Sequence, residues 1–391
     1  MDDMTIYLVI LAAIAIGWWL GRSRWWQAAG GARKLPGSYY QGLNYLLNEE
    51  PDRAVSAFVK DLHVTEETLE THLALGNMLR RRGEVEKALI VHENILSAEN
   101  LARTTVLNVQ LELARDYVLA GLVDRAEDML ARIVNEEQGD IRNRALKMLL
   151  EIEEQMRDWH KAINTAEMLA GDADGDYENR VSHYYCELAE EAIEEGDHEA
   201  ANALLSRAVG HSPKNARCNL IMGRLHLLEN QPQAAAQTLM RIGKQSPAMV
   251  AESLALLQQA HVAGGVTRSE LKTYLEAALA ARHSISIVLA LAAMMREEAG
   301  DETTARYVAS HLKATPTIRG LTQLIDYHMD NAHGVAKENL AILRSFTEAL
   351  IADKPSHRCQ QCGFFGKKIH WHCPTCKNWG SIQPVYGLEG E

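Results

Sequence analysis

Apolar residues recur along most of the chain at steps of three and four, the spacing that puts them on one face of an α-helix. Alternating β-branched runs of strand character are nearly absent, and none of the nine prolines interrupts a convincing amphipathic stretch. The pattern predicts an all-α body, with any sheet confined to a cysteine-bearing tail. The helical blocks also repeat. Gly42, Tyr45, Ala54 and Phe58 return 34 residues later as Gly76, Leu79, Ala88 and His92. The register continues through Ala114, Tyr117, Gly121, Ala126 and Leu130, then Gly196, Ala201 and Leu205, then Gly223, His226, Ala235 and Leu239. Pro213 and Pro247 close successive units, again 34 apart.

This period and this order of small and large residues resemble the tetratricopeptide repeat. Small residues at the eighth and twentieth positions let two antiparallel helices approach, and large apolar residues fill the space between them. Stacked hairpins share a continuous core, so the array is expected to curl into a superhelical solenoid with a concave face. Six units are expected between residues 39 and 247. Two or three degenerate ones follow to 352, where Ser269 or Ala305 stands in for the key alanine. The first helix of each unit lines the concave face, which places Asn77, Arg80, Arg81, Arg115 and Arg224 in a groove suited to an acidic peptide. Tyr39 and Leu43 stand where the tetratricopeptide clamp for a C-terminal carboxylate needs Lys and Asn, so that clamp is not expected.

Residues 4–20 carry no charge and at 1.5 Å per residue nearly span a hydrocarbon core of about 30 Å. Trp18, Trp19, Trp25 and Trp26 cluster at the end of the run, and Arg22, Arg24, Arg33 and Lys34 follow with no acid before Glu49. Aromatic belt and positive flank together predict a retained anchor over residues 1–21 with the rest of the chain in the cytoplasm. Asp2 and Asp3 stand where a cleavable signal peptide needs basic residues. Residues 22–38, with Gly30, Gly31, Pro36 and Gly37, read as a basic juxtamembrane linker able to touch anionic lipid of the bilayer.

Four of the six cysteines form two knuckles, Cys359-Gln-Gln-Cys362 and Cys373-Pro-Thr-Cys376, ten residues apart. Each C-x-x-C turns two thiolates toward one ion, and four thiolates complete the tetrahedral shell that zinc or iron accepts. A reducing cytoplasm keeps them available as ligands. Gly363 suits the positive-φ turn after the first knuckle, and Lys377 must adopt the same turn less comfortably. His357, His370 and His372 flank the set and offer alternative ligands. Trp371 and Trp379 are expected to cover the module or dock it on the last helices, because residues 353–391 are too few to build a core alone. Cys186 and Cys218, lying singly in helical patterns, read as buried structural thiols.

The net charge of −12 is uneven: residues 1–48 carry +2 and residues 354–391 carry +3, leaving −17 between them. An acidic body disfavours nucleic acid as partner. Lys354, Arg358, Lys367, Lys368 and Lys377 nevertheless keep a zinc-ribbon nucleic-acid reading in play for the tail, and iron in the same site keeps an electron-transfer reading. The run Asp172-Ala-Asp174-Gly-Asp176 fails as a calcium loop, because Tyr177 and His183 replace the turn glycine and the closing acid. No catalytic motif is present, and no enzyme is expected.

Anchor, repeats and metal tail in this order resemble the lipopolysaccharide assembly protein B family, LapB or YciM, from end to end. The stretches that carry the likeness are residues 75–77, 82–85, 120–128, 183–189 and Trp371-His-Cys-Pro-Thr-Cys-Lys-Asn-Trp379. The resemblance implies an inner-membrane regulator with a periplasmic N-terminus and a rubredoxin-like module in the cytoplasm. It would promote degradation of the LpxC deacetylase by the membrane protease FtsH, in company with other envelope proteins. The short gap between knuckles departs from electron-carrying rubredoxins and points to a structural ion. Homo-oligomerisation stays open.

Overall fold

The 34-residue register becomes helix hairpins, in five of which the first helix ends on a left-handed residue and the second starts two residues later. Helices α1 (Pro51–Ser56), α2 (Leu69–Arg81), α3 (Val85–Leu96), α4 (Arg103–Leu119) and α5 (Val123–Glu136) lead into α6 (Asp140–Met156) and α7 (Trp159–Met168). Then follow α8 (Tyr177–Glu195), α9 (His198–His211), α10 (Ala216–Leu228), α11 (Pro232–Met240), α12 (Val250–Val262) and α13 (Arg268–Ala281). The array closes with α14 (Ile285–Ala314), α15 (Ile318–Asn331) and α16 (Val335–Ile351). Gly83, Gly121, Arg157, Gly196 and Asn230 hold φ between 56° and 81° in the hairpin turns. Gly300, at φ 76° and ψ 175°, breaks α14 into two limbs.

This computed structural model describes residues 68–99, 101–171 and 176–391. Before them it describes residues 13–16, 18, 19, 40, 42, 44, 45, 47, 48, 50–58 and 64–66. Most of the expected anchor and all of the linker lie outside the described residues, as do Tyr39, Leu43 and residues 172–175 of the acidic run. Among the described residues no helix is long and apolar enough to cross a membrane.

The chain forms two compact units, Met1–Ala145 and Leu146–Glu391. In both, the small residue of a first helix meets the large residue sixteen positions on: Gly42 on Phe58, Gly76 on His92, Gly223 on Leu239. Ala114 and Leu130, at the same interval, are both fully buried. A Cβ on any of these glycines would overlap the partner ring or isobutyl group, so the helices can come this close only without one. In the degenerate region Ala305 is buried as expected, but Ser269 is exposed. The reason is local: Thr267 and Glu270 form a capping box that starts α13 at Arg268, leaving Ser269 on the outside of the first turn. Leu271, Leu275 and Ala278 face inward instead.

The tail is a three-stranded antiparallel sheet of β1 (His357–Cys359), β2 (Phe365–Gly366) and β3 (Ile382–Pro384), in the order β2-β1-β3. Register pairs His357 with Gly366 and Cys359 with Ile382. Its own core is only Cys359, Cys373 and Ile382, with Phe364 and Ile369 against them. No other strand occurs among the described residues.

Candidate metal centre and its docking surface

The two knuckles are built alike. In the first, the Cys359 N–H donates to Phe364 O at 2.8 Å and the Gly363 N–H donates back to Cys359 O at 3.1 Å. In the second, the Cys373 N–H donates to Asn378 O at 3.0 Å and the Lys377 N–H to Cys373 O at 2.9 Å. The positive φ this turn needs falls on Gly363 at 79° and on Lys377 at 58°. The four sulfurs lie within 4.8 Å of one another. Cys359 Sγ to Cys376 Sγ and Cys362 Sγ to Cys373 Sγ both measure 3.7 Å. A tetrahedron with metal–sulfur bonds of about 2.3 Å has edges of about 3.8 Å, so the donor set fits one thiolate-bound ion.

Burial pushes the Cys359 thiol up, but the N–H groups of Cys362 and Gln361 and the Ser381 hydroxyl outweigh it and bring it down to about 6. Cys373, with burial dominant, is pushed up to about 11. The flanking histidines are engaged elsewhere. His357 Nε2 meets Glu252 Oε1 at 3.0 Å and its Nδ1 meets Ser356 Oγ at 2.8 Å. His372 Nε2 meets Lys377 O at 3.0 Å, and His370 packs edge-on against Phe364.

The module is not docked only on the last helices. Trp379 enters the array at α6, α7 and α8, where its Nε1–H donates to Glu154 Oε1 at 2.8 Å. The same carboxylate oxygen accepts from Arg180 Nη2 at 2.8 Å and from the Tyr184 hydroxyl. The Trp379 ring stacks on His183 and His372 and meets Trp159 and Tyr184 edge-on. Trp371 carries the Arg217 guanidinium 5.7 Å above its ring. A second attachment does reach the later helices. The Tyr386 hydroxyl donates to Ala248 O at 3.1 Å under the Arg282 guanidinium. The Glu391 carboxylate accepts from Ser284 Oγ, Ser286 N–H and Oγ, and Arg319 Nη1 at 2.6 to 3.0 Å. Between module and array a cleft of about 720 Å³ is lined by Glu151, Asn179, Arg180, Gln361, Lys377 and Ser381, among others.

Of the expected groove residues, the first unit brings Asn77, Arg80 and Arg115 together around acids of α4. Arg80 bridges Glu112 at 2.6 Å and Asp116 at 3.0 Å and also contacts Asn77, while Arg115 pairs with Glu112 at 2.5 Å. Asp116 is fully buried and holds His92 on its other side. Arg81 is exposed, and Arg224, in the second unit, lies 3.6 Å from Glu190. Several tail cations are likewise occupied: Lys354 pairs with Glu389, Lys367 with Asp353, and Arg358 covers Phe365. Asp176 caps α8 through the Asn179 N–H, and His183 is buried against Trp379. Cys186 and Cys218, which have no sequence-level partner, face each other at 3.3 Å in the core between α8 and α10. The docking residues Glu154, Trp159 and Tyr184 escape sequence reading. The available signal was the doublet Glu153–Glu154, set where the α6 pattern calls for an inward position.

A family model for a rubredoxin metal binding domain matches residues 357–384, and one for a tetratricopeptide repeat matches residues 192–260. Lipopolysaccharide assembly protein B of Escherichia coli strain K12 is 35% identical over 387 residues, covering 98% of this chain and 99% of its own. The protein of that name from Haemophilus influenzae strain Rd is 30% identical over 394 residues, covering 98% of each chain. The crystal structure of MamA superposes at a TM-score of 0.32 with 16% identity, over 47% of this chain and 95% of its own. With relatives aligned from end to end and a four-cysteine module in place, the chain belongs to the lipopolysaccharide assembly protein B family.

Proposed function

We propose that the chain acts in lipopolysaccharide assembly as a non-enzymatic adaptor held at the inner membrane. Residues 1–21 anchor it with the N-terminus in the periplasm, and the repeats and module work on the cytoplasmic side. There they present LpxC to the protease FtsH, alongside other envelope proteins. Tethering client and protease at one membrane raises their effective concentration without demanding tight contacts. One observation carries the reading: in a chain that matches its relatives over 98% of its length, Trp379 and Glu154 fuse a binding array and a metal module into one body. Cys359, Cys362, Cys373 and Cys376 would hold one zinc or iron ion, which closes the two knuckles on each other. Deleting residues 1–21 is expected to lengthen the half-life of LpxC in cells, measured by blotting after synthesis is stopped. An unchanged half-life overturns the proposal.

An iron-loaded site is the second reading, favoured by the exposure of Cys362, which puts one edge of the cluster within reach of a redox partner. Reversible bleaching of a coloured protein selects it. A colourless zinc protein with full effect on LpxC ends it.

A further inference from the structure

The final helix of the array, α16, buries a single residue, Thr347, and packs against α15. Val335, Ile342, Leu343, Phe346 and Leu350 are each between 51% and 71% exposed. With Asn339 they form one continuous helical stripe, since the positions are separated by four, three, one, three and four. Elsewhere in a stacked array such a face is covered by the next hairpin, and terminal elements are normally polar. This one is not, and the stripe holds no ionisable side chain.

The spacing is palindromic about the peptide between Ile342 and Leu343. Laid antiparallel on itself, the stripe sets Val335 against Leu350, Asn339 against Phe346 and Ile342 against Leu343. That is the self-complementarity a twofold interface requires, where residue i meets j and j meets i. The absence of charge means that a second copy of this acidic chain meets no repulsion within the seam, and one polar Asn339 helps to set its register. Five large side chains, more than half exposed, offer roughly 300–500 Å² of apolar surface per copy. The two copies together would bury about 600–1,000 Å², the size of a weak interface.

We propose that α16 is a homodimerisation surface, taking the α16 helix of a second copy in antiparallel register. The test is sedimentation of the full chain in lipid nanodiscs or mild detergent at micromolar concentration. Phe346→Glu is expected to weaken the dimer by about tenfold or more, as loss of a central aromatic anchor does. Asn339→Lys alone weakens it less. The double variant Phe346→Glu with Asn339→Lys restores it, because each new lysine faces the other copy's new glutamate. Both sites are solvent-exposed, so folding is unaffected, which far-UV circular dichroism checks. A parent chain that stays monomeric, a dimer indifferent to Phe346→Glu, or failure of the double variant to recover overturns the assignment. Loss of another co-purifying protein with an unchanged dimer does so too, by giving the stripe to a different occupant.

Discussion

Trp379 gathers the module's hold on the array into one side chain. Its ring is enclosed by four aromatic or imidazole neighbours and its single donor is satisfied by Glu154. Trp379→Phe keeps most of the ring burial and removes that hydrogen bond from a buried carboxylate. A loss of about 1–3 kcal/mol in thermal or denaturant unfolding is expected. Next to it, His183 carries a pH dependence. Burial, helped by the Arg217 guanidinium, drives its imidazole down to about 3 from an ordinary value near 6.5. The folded chain therefore holds it neutral while the unfolded chain protonates it, so its stabilising share is complete above about pH 6.5. That share falls as pH drops toward 3, by up to about 1.4 kcal/mol per pH unit. Denaturant midpoints at pH 7.5 and 5 should differ less in His183→Phe than in the parent. At this scale the four cysteines were legible because two ligands three residues apart converge by local geometry alone. Glu154 and His183 were not, since what makes them important is a tryptophan some two hundred residues away.

At the scale of the element, the period of 34 marked not only the hairpins but the inter-helix contact within each. Sequence marked Gly76, His92, Gly223 and Leu239 as register positions, and the structure pairs them, Gly76 on His92 and Gly223 on Leu239. Their tolerance should differ. Leu239 can rotate away from an added methyl, whereas His92 is pinned by Asp116, itself held by Arg80. Gly76→Ala is expected to cost about 1–3 kcal/mol and Gly223→Ala less, measured by urea unfolding. Legibility faded after residue 247 for a physical reason. A capping box outranked the repeat register at Ser269, and the hairpin that Gly300 makes of Ile285–Ala314 keeps little of the repeat signature beyond Ala305. Trp371 and Trp379 were rightly read as docking residues, but their seat among α6, α7, α8 and α10 depends on how the helices of the second unit stack, which no local pattern records.

Across the whole molecule, stability of the module and of its seat should be linked. A sheet whose core is three residues has little else to fold on, so an ion held by the four cysteines would supply free energy that keeps it ordered. Cys362→Ser, or chelation of the parent, is expected to abolish binding of the ion, red-shift tryptophan emission as Trp379 and Trp371 meet water, and open the tail to protease. Retained metal content with unchanged protease resistance would contradict this.

The module grips the array twice, through Trp379 near residue 154 and through Glu391 near residue 284. A solenoid left alone behaves as a coil spring, its pitch free to breathe because each turn touches only its neighbours. Fastened at two turns by one rigid brace, the span from α6 to α14 loses that elasticity, so whatever loosens the brace returns the spring to its natural compliance and changes the curvature offered to a guest.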